Sequence, residues 1–158
     1  MDTPVNDDTK ARLSKAGGPR LSPEDAQRLR STFPTLALEP LLEVESEFPL
    51  AGVSFTLGSE QDPSGIGVDM EWMTPDFVIQ EATQAAPGIQ AARLGLVPVG
   101  ECMRGSAAPY FVDTKDVRLP VVRVPHDAVN TENDTLDESQ IERVADSLDQ
   151  FFERCTIG

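Results

Sequence analysis

From residue 53 to residue 124 the chain offers only short apolar runs, each closed by a turn-forming stretch, and that brevity restricts what it can fold into. Val53-Ser54-Phe55-Thr56-Leu57 alternates in side-chain polarity and is rich in β-branched and aromatic residues, the pattern of a half-buried strand. Val68, Met70 and Trp72 alternate with Asp69, Glu71 and Met73 in the same way. Three further apolar runs follow at 94–99, 109–112 and 120–124. Strands that cluster and are joined by short turns pair antiparallel, so a largely antiparallel sheet is expected.

Helix-start chemistry stands before, within and after this strand region. Ser22-Pro23-Glu24-Asp25 places an N-cap serine, a proline at the first helical position and an acid three residues after the cap. Ala26, Leu29 and Phe33 then share a face, and Pro34 ends the helix. Thr74-Pro75-Asp76 repeats the signal, with Phe77, Val78, Ala82, Ala85 and Ala86 as the apolar stripe and Pro87-Gly88 as the stop. Ile141, Val144, Ala145, Leu148, Phe151 and Phe152 fit a helical period near the C-terminus. Ser147 with Gln150 makes another capping box, so the terminal helix starts either near Gln140 or at Ser147. Around 36–48 two periods compete. Leu41, Leu42 and Val44 suit a short helix entered through Pro40, whereas Leu42, Val44, Ser46 and Phe48 alternate, and the reading favours a strand by the end of this run.

The expected architecture is therefore a single α+β domain with helices on one face or edge of the sheet. At 158 residues the chain is long enough to bury a core without metal or disulfides. Residues 1–20 lack a hydrophobic period and end in Gly17-Gly18-Pro19, which reads as a flexible arm ahead of a domain over 21–158. No apolar run suggests a membrane span and no signal peptide is evident, so the expectation is a cytoplasmic protein. Cys102 and Cys155 are expected as thiols, buried or partly so.

Charge narrows the partners. The net charge is −14 and unevenly placed: residues 1–35 carry six basic and five acidic side chains, residues 36–158 seven and 22. Such a body repels nucleic acid and anionic lipid and attracts basic partners, although an acidic surface can also serve solubility alone. Catalytic signals are weak. His126-Asp127 could act as an oriented general base, but no serine or cysteine nucleophile stands in a recognised context. Gly65-Ile66-Gly67 precedes a strand, the wrong order for a dinucleotide fingerprint, and reads as a hairpin turn. The acidic run 130–134 lacks the glycine and ligand spacing of a calcium loop and reads as solvated. Trp72, Tyr110, Phe151 and Phe152 are placed in the core, and Arg104, Arg118 and Arg123 are expected to make local ion pairs. Neither a cofactor nor a metal site is expected.

The segment LGLVPVGECMRGSAAPYFVDTKDVRLPVVRVPHD, followed by IERVADSLDQFFE, resembles the SUKH (Smi/Knr-like) superfamily. The matching positions are Pro98 and Gly100 at the end of one strand, Gly105 in the turn, and Pro109, Tyr110, Phe111 and Asp113 in the next strand. Val121, Val122, His126 and Asp127 follow, then Ala145, Ser147, Leu148 and Phe151 at the entry to the terminal helix. The resemblance covers about half the chain by motif order. Toward the N-terminus it loosens: Phe33-Pro34 stands where a Leu-Pro step is usual, and the Asn-Gly turn is absent. These positions carry fold-forming roles. The resemblance implies a non-enzymatic protein-binding domain. It would shelter its host from a toxin, often a nuclease, or alternatively act as a regulatory interaction hub.

Overall fold

The computed structural model describes residues 5–103 and 108–158, and it is an α+β domain. Fifteen elements follow in order: α1 (Asp7–Leu13), α2 (Pro23–Thr32), α3 (Glu39–Glu47), β1 (Ser54–Leu57), β2 (Val68–Trp72), α4 (Pro75–Gln84), α5 (Gly88–Arg93), β3 (Leu96–Cys102), β4 (Tyr110–Asp113), β5 (Val121–Arg123), β6 (Val129–Asn130), β7 (Thr135–Leu136), β8 (Glu142–Ala145), α6 (Leu148–Arg154) and β9 (Thr156–Ile157). Seven strands form one antiparallel sheet in the order β8-β5-β4-β3-β2-β1-β9, while β6 and β7 pair as a separate hairpin. No helix among the described residues is long and apolar enough to cross a membrane.

Strand register explains how the alternating residues are used. Phe55 faces Met70, Trp72 faces Gly100, and Gly100 faces Tyr110, so one sheet face becomes continuous from β1 to β4. A side chain at Gly100 would run into the Met70 thioether and the Tyr110 Cβ, which is why this position is bare. Phe55, Trp72, Phe151 and Phe152 pack there with ring centroids 5.5–6.1 Å apart. The opposite face buries Leu96, Phe111, Val122 and Val124 under Ala91 of α5 and Ala128. Helices therefore cover both faces, not one. The central strands consequently read as solid apolar runs, as strands buried on both sides do.

The caps act as their residue types require. Ser22 Oγ accepts from the Asp25 amide, Thr74 Oγ1 from Phe77, and Ser147 Oγ from Gln150 at 3.0 Å. Gln150 reaches back to the Asp146 amide at 2.8 Å, so the terminal helix begins at Ser147 and residues 142–145 form the edge strand β8. The expected helical stripe through Ile141 and Val144 thus divides between a strand and a helix. Of the stripe expected on α4, Val78 and Ala82 are buried, whereas Phe77 is exposed.

Two segments depart from the sequence reading. Residues 7–13, within the expected arm, form α1, in which Leu13 is fully buried. Arg12 Nη1 and Nη2 donate to the carbonyls of Phe152 and Cys155 at 2.9 and 2.6 Å, satisfying helix-end acceptors of α6. Residues 39–47, favoured as strand toward their end, form α3, because Leu38, Leu41, Leu42, Glu45 and Phe48 bury at helical spacing. Substituting Ser147→Ala removes the α6 cap and should cost about 1 kcal/mol. Calorimetry should then show Tm lower by about 2–4 °C for a chain of this size.

Candidate functional site

Arg123 sits at the end of β5 with its side chain 3% exposed. Its five N–H donors meet five acceptors. Nε donates to Glu142 at 3.0 Å, Nη1 to the Gly67 carbonyl at 3.0 Å and the Tyr110 hydroxyl at 3.2 Å, and Nη2 to Asp62 at 3.4 Å and to Ser64 Oγ. Asp62, whose side chain is wholly buried, also accepts from the Ser64 and Gly67 amides at 2.9 Å. Gly67 lies at φ +89°, a backbone state that glycine adopts without strain, so the β1–β2 connection wraps around Asp62 as a turn. The pairing is long-range, since it joins that turn to a strand three positions away in the sheet. Burial pushes the Tyr110 phenol up, which keeps it neutral beside the guanidinium.

Above this knot opens a cleft of about 340 Å³ lined by Ile66, Cys102, Ala108, His126 and Asp127. His126 opens a short 3₁₀ turn and is exposed. A thiol and an imidazole therefore share one opening, while the cation on the cleft floor is committed to protein oxygens. Cys155 is the inert thiol of the pair, buried, with its pKa pushed up to about 12 by burial.

Most of the matched positions carry structure. Pro98 pairs with Phe111 on the second face, Gly100 with Tyr110 on the first. The Pro109 carbonyl accepts from the Val124 amide at 3.2 Å. Asp113 accepts from the Lys115 amide at 2.9 Å and closes the turn after β4. Ser147 caps α6 and Phe151 joins the aromatic core. Gly105 and Arg104 lie outside the described residues. Arg118 pairs locally with Asp116 at 2.9 Å, as expected, whereas Arg123 is a buried long-range hub. The acidic run near Asp134 is the β6–β7 loop, tied to α5 through Gln90 and Arg93 at 2.7 and 2.8 Å. Among the described residues no group of three His, Cys, Asp or Glu side chains could hold a metal ion.

A second cavity, of about 250 Å³, lies between α2, α3 and the start of α4. Glu45 of α3 lines it and is only 8% exposed. One carboxyl oxygen accepts from the Trp72 indole N–H at 3.0 Å, and burial raises its pKa from 4.5 to about 7. The walls are largely apolar, formed by Leu21, Leu50, Ala51 and Met73, and Asp25 and Asp76 stand among the lining residues. Arg28 bridges those two carboxylates at 2.8 and 2.7 Å. The sequence reading missed Glu45. Its signal was the helical stripe through 38, 41, 42, 45 and 48, which a strand period hides.

No family model, curated protein or solved structure matches the chain.

Two variants test these charges. Arg123→Met strands the Asp62 carboxylate in the core and should cost about 3–5 kcal/mol in urea unfolding. Arg123→Lys should recover little, because an ammonium has three donors for five acceptors. For Glu45 the unfolded carboxyl titrates near 4.5 and the folded one at about 7, so the unfolded chain gives up its proton first as pH rises. The contribution of Glu45 is present in full below pH 4.5 and is lost as pH passes 7, a change on the order of 3 kcal/mol. Glu45→Gln should therefore raise Tm relative to the native chain at about pH 8.5 and change it little at about pH 4.5.

Proposed function

We propose that this protein is a non-enzymatic binding domain of the SUKH (Smi/Knr-like) kind, acting in the cytoplasm, which neutralises a basic, nuclease-type toxin by direct contact through its acidic surface. The observation that carries the reading is how the chain uses its cations. Among the described residues, nine basic side chains are tied to the protein's own oxygens: Arg12, Arg20, Arg28, Arg30, Arg93, Lys115, Arg118, Arg123 and Arg143. Against them stand 27 carboxylates, many of them exposed, including Glu47, Glu60, Glu101, Asp127, Glu132, Glu138 and Glu153. Such a surface speeds encounter with a positively charged partner and rejects negatively charged ones. It offers a nuclease domain the charge of its own substrate.

The resemblance in motif order supports the same reading, as does the satisfied state of Arg123, whose donors on the cleft floor are all met by acceptors of the described residues. The alternative within this fold is a regulatory interaction hub with no toxin partner.

Capture from the native host's lysate and secreted fraction, followed by a salt step, separates them. A basic nuclease-like protein should be retained at low salt, with affinity falling about tenfold or more between roughly 50 and 300 mM salt, and its cleavage activity should be blocked in the complex. Capture of a housekeeping complex would favour the hub. His126→Ala leaving neutralisation intact agrees with binding alone, and its loss without loss of binding would indicate chemistry at the cleft.

A further inference from the structure

The Glu45 cavity has the makings of a socket. Its floor carries a carboxyl group more than nine-tenths buried, one oxygen of which accepts from the Trp72 indole. The other oxygen bonds to no described residue, in a cavity that Glu45 itself lines. A buried carboxylate without a counter-charge is unfavourable, and a cation brought to that oxygen supplies the missing partner. At about 250 Å³ the space is below the usual range for a drug-sized ligand and suits one long side chain. Leu21, Leu50, Ala51 and Met73 give apolar walls along which a methylene stem can lie while its head reaches the floor.

We propose that this cavity takes the guanidinium- or ammonium-tipped side chain of a basic partner protein, with Glu45 as its counter-ion and Trp72 holding the carboxylate in place. The source of the cation rests on the binding function proposed above; the socket itself rests on the cavity. The charged groups around Glu45 are Arg20 on the segment before α2, Asp25 and Arg28 on α2, and Asp76 on α4. Arg28 is paired with the two aspartates, and Arg20 donates through Nε to the Glu47 carbonyl at 2.8 Å; among the described residues neither forms an ion pair with Glu45. An incoming side chain meets Glu45 as the one carboxylate there without a cation.

The chain contains a single tryptophan, Trp72, which reports directly on the site. N-acetyl-arginine amide is titrated into the full-length protein, followed by Trp72 emission and by the NMR signal of its indole N–H. The uncharged N-acetyl-citrulline amide serves as the isosteric control. The expected result is saturable binding of the arginine amide at about pH 8, at least tenfold weaker for citrulline and for Glu45→Gln. Affinity should fall by about tenfold per pH unit below the Glu45 midpoint, because only the ionised carboxyl binds. Glu45→Gln keeps the acceptor for the indole and removes a buried charge, so it should fold, which its Tm verifies. A response equal for citrulline, retained in Glu45→Gln, or absent at any pH overturns the socket. Saturable arginine binding with no basic protein captured supports the socket and counts against the toxin reading alone.

Discussion

A guanidinium inside a sheet core is tolerable only when every donor is met, and Arg123 meets that condition by drawing distant parts of the chain together. Its acceptors come from the β1–β2 turn, from β4 and from β8, at up to 61 residues from Arg123 in sequence. Asp62 cannot sit buried without that cation, and the turn at 62–67 is built around Asp62. The arrangement fixes where the turn lies over the sheet and forms the floor of the His126 cleft. A network this complete also specifies structure, because any shift of the turn or of β5 leaves a buried donor or acceptor unmatched.

Glu45 is the contrasting case. It too is buried, yet it has an indole donor and no cation, so its ionised form is disfavoured. The two buried charges divide the molecule's electrostatics. One is closed and holds the fold together, while the other is open to a cavity and held in a less favourable state. Groups kept in such a state are frequent at functional sites, where a ligand supplies the missing interaction. The excess of surface carboxylates works at longer range, setting which partners approach.

Local signals in the sequence translated well where one residue type has one physical use. Serine or threonine followed by proline marked α2 and α4, and Ser147 with Gln150 marked one of the two starts left open for the terminal helix, the one α6 takes, because hydroxyl caps act within one turn of backbone. Alternation at 53–57 and 68–72 marked β1 and β2, since each has one face toward the aromatic core. At 39–48 both periods were available, and the strand reading put Glu45 on a solvent face. Tertiary packing chose the helix, and only then does Glu45 fall on the buried stripe. At 142–145 the pairing with β5 overrode a helical pattern, because β5 would otherwise be left as an unpaired edge.

The sequence alone determined the class of fold, the caps of α2 and α4, most of the strands and the acidic balance, all properties of neighbouring residues or of simple sums. Tertiary structure decided what depends on distant residues meeting. It set α1 onto the end of α6 through Arg12, covered the second face of the sheet with α5, and made Arg123 a hub instead of a local ion pair. It also placed Glu45 beside Trp72, 27 residues away, in a cavity. The physical reason is desolvation: whether a charge is a surface group or a buried one depends on what packs over it, which no local pattern records.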